Sequence, residues 1–223
     1  MKELESKIQE LEKQLEILKK CLKILNPTLE YPKTFESYDD LRTWLNENNI
    51  EYQTLYVVIN KCWGYSDIKG LWHLYHDGVE LTKDIKAVSV SYYDNGDWKY
   101  LDEQEFWHLY RDGVELTKGI KTKDVWSWNN GDWAYRDSNG FCYLFRNGVE
   151  LTKGVRAIAV DSYINGNWLY KDIKRFEHLF KDNIELTAGI KTKGAYSCSD
   201  GRWSYIDEQG KWHVFDKNNK KIK

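Results

Sequence analysis

The sequence predicts a mainly β protein: a five-bladed β-propeller of 35-residue, four-stranded repeats, preceded by an N-terminal coiled-coil helix and a short second helix. A tryptophan recurs every 35 residues, with a tyrosine and an aspartate two and four residues after it in each copy. Asn-Gly or Asp-Gly pairs separate runs of β-forming residues, as in tight hairpins. A fixed period of about 20–50 residues indicates a propeller, a solenoid or an array. The recurring tryptophans are Trp63, Trp98, Trp133, Trp168 and Trp203.

Composition limits the classes of function. The 223 residues include 33 Lys+Arg and 35 Asp+Glu, without the basic excess that is typical of nucleic-acid-binding proteins. No signal-peptide pattern and no apolar run of about 18 residues is present, so we expect a cytoplasmic protein. The four cysteines lack the spacing of metal ligands, and we expect them to be reduced and structural. They are Cys21, Cys62, Cys142 and Cys198.

The first 25 residues carry a heptad pattern, with apolar residues at alternating steps of four and three. This pattern predicts a coiled coil over residues 1–25 that makes the protein a homo-oligomer; a helix folded onto its own chain is the alternative. Leucine at both core positions leaves the number of strands open. The oligomerisation residues are Leu4, Ile8, Leu11, Leu15, Leu18, Leu22 and Leu25.

Residues 26–49 form a predicted linker and short capping helix. Pro27 ends the first helix, because the residue before a proline disfavours helical dihedrals. Ser37 is a suitable N-cap for the second helix, with Asp40 three residues later. Tyr38, Leu41, Trp44 and Leu45 form one apolar stripe along it. We expect this stripe to pack on the first repeat and to shield its end.

One repeat, residues 120–154, shows the predicted unit. A strand around Val125 ends at Asn130-Gly131, where a type I′ turn is expected. A second strand carries Trp133 and Tyr135 on one face, a third covers 142–145, and a fourth, 149–152, follows Asn147-Gly148. Such a meander cannot bury both of its faces alone, so neighbouring repeats must stack on it. The last copy lacks a recognisable fourth strand.

The five copies cover residues 50–84, 85–119, 120–154, 155–189 and 190–223. Closure into a ring would bury every face and every edge, which favours the five-bladed propeller over 50–223. An open stack of hairpins, capped by the helix at 37–47, is the alternative.

The pattern Gly-x-Trp-x-Tyr-x-Asp-x-x-Gly occurs at 131–140 and again at 201–210. It resembles the WG-repeat (KWG-type) family of bacterial repeat proteins over residues 50–223, although only Trp63-Gly64 keeps the Trp-Gly pair. The resemblance implies a propeller-like binding scaffold and supplies no catalytic residues.

The pattern of titratable residues does not indicate an enzyme, a cofactor or a metal site. Histidines recur at His73, His108, His178 and His213. Because each belongs to a different repeat, we interpret them as packing and hydrogen-bonding residues. The recurring aspartates are interpreted as turn residues, whose carboxylates accept hydrogen bonds from nearby backbone N–H groups. No nucleophile elbow, phosphate-binding loop or HExxH motif is present.

Two sets of residues are candidates for binding. Cations at the repeat junctions could bind an anion or nucleic acid, although acidic turns on the same side favour a mixed-charge surface. These candidates are Lys86, Lys121, Arg156 and Lys191. Aromatic residues at positions that differ between repeats are candidates for partner binding, with packing between repeats as the alternative. They are Trp126, Trp128, Tyr196, Tyr93 and Tyr163.

Three functions follow from these patterns. The favoured one is a non-catalytic, oligomeric scaffold that binds a protein partner, with the coiled coil adding avidity. A lectin-like carbohydrate-binding propeller is the alternative, and equivalent sites in all repeats would favour it. Binding of an anion or nucleic acid through the junction lysines is the third.

Overall fold

A computed structural model describes Lys7, residues 31–58 and residues 61–222. The coiled coil that the sequence predicts over residues 1–25 has all seven of its heptad positions outside the described residues. Within the described part of the chain, no helix has the length and apolar character needed to cross a bilayer.

The short helix predicted from the sequence forms as α1, Tyr38–Glu47. The Ser37 hydroxyl caps its N-terminus by accepting a hydrogen bond from the Asp40 backbone N–H at 3.1 Å. Leu41 and Leu45 are fully buried in a cluster with Trp63 of the first repeat. The helix therefore covers one face of that repeat, as the apolar stripe predicts.

Repeats 1 and 2 each form a four-stranded antiparallel meander. Repeat 1 (50–84) consists of β1 Thr54–Val58, β2 Cys62–Ser66, β3 Trp72–His76 and β4 Val79–Glu80. Repeat 2 (85–119) consists of β5 Ser89–Tyr92, β6 Trp98–Leu101, β7 Trp107–Arg111 and β8 Val114–Glu115.

The sheets of repeats 3 and 4 join into one eight-stranded sheet, because β11 pairs with β13 at Cys142 and Ala157. Repeat 3 (120–154) consists of β9 Asp124–Ser127, β10 Trp133–Arg136, β11 Cys142–Arg146 and β12 Val149–Glu150. Repeat 4 (155–189) consists of β13 Ala157–Ser162, β14 Trp168–Asp172, β15 Glu177–Lys181 and β16 Ile184–Glu185.

Repeat 5 (190–223) has three described strands, β17 Thr192–Ser197, β18 Trp203–Asp207 and β19 Trp212–Phe215. A single bridge between Phe215 and Lys221 stands where the other repeats have a fourth strand. The loss of that strand agrees with the sequence.

The fourth strands are shorter than the sequence suggests. In repeat 3 the fourth strand ends at Glu150, and the next residue, Leu151, still donates its N–H to the Leu144 carbonyl at 2.8 Å. The Leu144 N–H donates instead to the buried Thr152 hydroxyl at 3.1 Å, so the hydroxyl replaces one backbone bond of this pair. A turn then forms from the Val155 N–H to the Thr152 carbonyl, with Gly154 at φ +85°, and leads into the following repeat.

In repeat 3 the first and the last hairpin turns differ from one another. At Asn147-Gly148 both residues have positive φ, +50° and +76°, as a type I′ turn requires. At Asn130-Gly131 only the glycine has positive φ, so the type I′ prediction is wrong there. The Asn130 side chain explains the difference, because its Oδ1 accepts the Asp132 N–H at 3.1 Å and favours an Asx turn.

The repeats stack in sequence order. One face of each sheet carries an aromatic layer, formed in repeat 3 by Trp133, Tyr135 and Phe145, with Trp133 stacked on Phe145 at 4.4 Å. The opposite face, which we call the leucine face, packs against the aromatic layer of the next repeat. Its central residues Leu74, Leu109, Leu144 and Leu179 are all fully buried.

The described sheets do not close into a ring. Among the described residues, no apolar cluster and no strand pairing joins repeat 5 to repeat 1. The aromatic layer of repeat 1, which ring closure would require, packs instead against α1. The closed five-bladed propeller is therefore not confirmed, and the described geometry is that of the open, helix-capped stack.

Candidate functional site

The aromatic candidates Trp126 and Trp128 both pack between repeats 3 and 4. The Arg136 guanidinium carbon lies 5.1 Å from the centre of the Trp126 ring, a cation–π contact. The Trp128 indole N–H donates to the Asp161 carboxylate at 3.2 Å. Burial raises the pKa of Asp161, against the opposing hydrogen bonds from the Ser162 N–H and from Trp128. Both tryptophans thus help to join neighbouring repeats.

Tyr93 and Tyr163 occupy the position equivalent to Trp128 in repeats 2 and 4. The Tyr93 hydroxyl donates to the Val125 carbonyl of the next repeat at 3.0 Å. Burial, with added repulsion from nearby carboxylates, raises the pKa of both phenols. Neither phenol ionises at neutral pH, so each acts as a neutral hydrogen-bonding and packing group.

Tyr196 differs from the other candidates because it is 46% exposed. It lies on the leucine face of repeat 5, at the end of the stack. Its ring stacks on Trp212 with centroids 5.4 Å apart, and Trp212 is 47% exposed.

A groove of about 360 Å³ crosses the first turns of repeats 2, 3 and 4. We call it the turn groove. Ile164, 72% exposed, forms one wall, and the aromatic candidates Tyr93 and Trp128 contribute to its lining. The complete lining is Tyr93, Asp94, Ser127, Trp128, Asn129, Asn130, Ser162 and Ile164.

An ion pair with a buried carboxylate supports two residues that line the turn groove, Asn130 and Ser162. Asp132, 1% exposed, binds the Arg146 guanidinium through Nε at 2.9 Å and Nη2 at 2.7 Å. The Ser162 hydroxyl also donates to this carboxylate. Asn130 spans the same junction, because its Nδ2 donates to Ser162 Oγ at 2.7 Å and to the Tyr163 carbonyl at 3.0 Å. The groove is therefore pre-organised by side chains that bridge repeats.

Repeat 2 contains the same network, with Asp97 bound to Arg111 at 2.7 Å. Repeat 4 replaces the pair with Asn167 and Lys181, and the Asn167 Nδ2 donates to Ser197 Oγ at 2.8 Å. This network was not predicted from the sequence. Its signal there is the Asp-Trp pair and the arginine at equivalent positions of repeats 2 and 3.

The junction cations are engaged within the protein. Lys86 pairs with Glu103 at 3.2 Å, and Lys191 lies 3.7 Å from Glu208. Lys121 and Arg156 lie 5.7 and 5.8 Å from the ring centres of Phe106 and Phe141, respectively. Carboxylates thus offset two members of this basic series, which favours the mixed-charge surface over an anion site.

The recurring histidines lie separately, one in each of four sheets. His108 contacts Glu115 at 2.7 Å through Nδ1 and Asp102 at 3.1 Å through Nε2, and its ring stacks on Tyr100 at 4.6 Å. Although burial opposes it, hydrogen bonds from the Phe106 N–H and from His108 lower the pKa of Asp102. The structure thus places them as packing and hydrogen-bonding residues.

Within residues 31–58 and 61–222, no cluster of three or more His, Cys, Asp or Glu side chains has a geometry suited to a metal ion. Cys62 and Cys142 are buried thiols, and burial raises the pKa of Cys62 to about 12. Cys198 is exposed.

No family model matches this chain, and no curated protein matches it. Solved structures similar to it include β-propellers. "YCF48 bound to D1 peptide" is 13% identical, with 73% of this chain and 64% of that chain covered and a TM-score of 0.37. The WD40 β-propeller domain of Doa1 is 9% identical, with 73% and 62% covered and a TM-score of 0.33.

A third similar structure, BBS1N in complex with ARL6DN, is 8% identical, with 73% and 60% covered and a TM-score of 0.33. This chain therefore spans less than two thirds of the length of each of these structures. At such TM-scores the likeness is too distant to support an inference about function.

Proposed function

We propose that this chain is a non-catalytic scaffold that binds a protein partner in the turn groove. The observation that carries the proposal is the groove itself. It combines the exposed aliphatic Ile164 with aromatic rings and with hydrogen-bonding amides and hydroxyls, and the ion-pair network holds Asn130 and Ser162 of this lining in place. An apolar centre with a polar, pre-organised rim is the usual composition of a protein-binding surface.

The differences between repeats favour a protein partner over a carbohydrate. The Ile164 position is Asp94 in repeat 2 and Asn129 in repeat 3, and the Trp128 position is Cys198 in repeat 5. The repeats therefore do not present five equivalent sites, as a lectin-like array would. Two of the four junction cations, Lys86 and Lys191, are paired with carboxylates, so an uninterrupted basic series does not support the nucleic-acid alternative.

The repeat domain is a WG-repeat-like array of five propeller-type blades in an open stack. Residues 1–25 join copies of the chain through a coiled coil, which would convert weak groove contacts into avidity. The protein acts in the cytoplasm.

The proposal can be tested by capture with full-length protein from a lysate of the source organism. Ile164→Glu places a charge in the groove at little structural cost, because the side chain is already exposed. Ile173→Glu, at a 58% exposed position in a turn outside the groove lining, is the matched control. We expect a bound protein that is retained by the control and lost with Ile164→Glu. Equal retention by both variants, or binding to a glycan array that Ile164→Glu leaves intact, would refute the proposal.

A further inference from the structure

The stack has one apolar end that no described residue covers. On the leucine face of repeats 1 to 4 the central leucines are fully buried, whereas Val214, their equivalent in repeat 5, is partly exposed. Tyr196 and Trp212 flank it at 46% and 47% exposure. We call this surface the end face; it comprises Tyr196, Ser204, Ile206, Trp212 and Val214.

The end face lacks the polar surface that the terminal repeat of an array usually has. Arrays of repeats need a polar or covered outer face at each end to stay soluble. Repeat 1 meets this need with α1 and the preceding residues Tyr31 and Phe35, which together bury the Trp63 side chain completely. In repeat 5 the only polar residue among the five is Ser204, while two aromatic and two aliphatic side chains remain. A surface of this composition is typical of an interaction site.

We propose that the end face binds the end face of a second copy of this chain, giving a two-fold symmetric, end-to-end dimer. The interfaces inside the stack show what covers a leucine face, because each one is covered by the sheet of another repeat. The aromatic layer of repeat 1 in a second copy is not available for this contact, because α1 of that copy already packs on it. Among the described residues, the sheet face that remains uncovered in the second copy is its own end face.

The geometry of the two ends also sets the stoichiometry. With α1 covering the first end, head-to-tail growth into a filament is blocked, and the remaining contact is isologous and closed. Two cations of repeat 5 are paired with carboxylates: Arg202 with Asp200 at 2.7 Å, and Lys191 with Glu208 at 3.7 Å. These pairs reduce the repulsion between like charges of two copies.

The inference is independent of the turn groove, and its test separates it from association through residues 1–25. Sedimentation equilibrium is measured over a concentration series with full-length Leu15→Pro, because proline breaks the predicted coiled-coil helix. We expect this variant to associate reversibly from one chain to two. Adding Trp212→Glu should weaken the association by more than about tenfold, since buried tryptophans dominate interface energies.

Two further variants make the result specific. Tyr196→Glu should weaken association as Trp212→Glu does, while Val114→Glu, at a 63% exposed position on β8, should leave it unchanged. Thermal unfolding confirms that each variant is folded. The inference is overturned if Leu15→Pro remains a monomer at every concentration, or if the folded Trp212→Glu and Tyr196→Glu proteins associate as strongly as the Val114→Glu control.

Discussion

Replacing Trp133 with alanine tests whether the recurring tryptophans hold the stack together. Trp133 is 7% exposed and stacks on Phe145 at 4.4 Å. It also belongs to the cluster that contains Leu109 of repeat 2 and Val125 of repeat 3. The substitution therefore removes a ring from the interface between two repeats.

The size of the effect follows from the buried area. A buried tryptophan removes about 200 Å² from water, worth about 5 kcal/mol at about 25 cal/mol per Å². Because real unfolded chains already bury some of this area, a loss of about 3–5 kcal/mol in the free energy of unfolding is expected. Trp212→Ala is the matched control: its side chain is 47% exposed, so about half of that loss is expected.

Urea unfolding followed by far-UV circular dichroism measures both variants in dilute solution. The midpoint should fall further for Trp133→Ala than for Trp212→Ala. Since each repeat contacts only its neighbours, the transition should also broaden when a central interface is weakened. If Trp133→Ala loses no more stability than Trp212→Ala, the aromatic layers are not the source of cohesion between the repeats.

Two further predictions concern local contacts. Gly78→Ala should destabilise the protein more than Gly113→Ala: both glycines have φ +76°, but only at Gly78 would the new Cβ lie 2.7 Å from the Tyr31 carbonyl oxygen. Equal losses in urea unfolding would contradict that close approach. The hydrogen bond to Glu80, outweighing burial, raises the pKa of His73, so its contribution to stability is complete below about pH 6.5 and is lost as the pH rises through the raised pKa. Glu80→Gln should lower the His73 pKa in an NMR titration, and an unchanged pKa would show that Glu80 is not the cause.

The repeat unit could be predicted from the sequence because its signals are local. The step of 35 residues between tryptophans fixes the boundaries, and the Asn-Gly and Asp-Gly pairs fix the turns. Alternation along β10 places Trp133 and Tyr135 on one face and Ala134 on the other, as the structure shows. The helix at Tyr38–Glu47 follows in the same way from its cap and its apolar stripe.

Closure could not be predicted, because it depends on contacts that only the ends make. A ring and an open stack bury the same faces in repeats 2 to 4, so the repeating pattern is the same in both. The apolar stripe of α1 decides between the two, because a helix that packs on Trp63 covers the face of repeat 1 on which repeat 5 would have to pack to close the ring.

The candidate site was predicted only in part. The aromatic residues were identified from their differences between repeats, but most of them pack between repeats, and two of them, Tyr93 and Trp128, also line the turn groove. The turn groove depends on side chains from neighbouring repeats, such as Asn130 and Ser162, and spacing within a single repeat carries no signal for their contact. The Asp132–Arg146 pair lies within repeat 3, beside the paired residues Trp133 and Phe145, so the strand register could have indicated it.

The contacts of the Trp63 ring test the open, helix-capped stack most directly. Methyl–aromatic nuclear Overhauser effects should connect this ring with the methyl groups of Leu41 and Leu45, which share its buried cluster. In a closed ring, the same indole would face the last repeat. Cross-peaks from Trp63 to the methyl groups of Val214, with none to Leu41 or Leu45, would contradict the account.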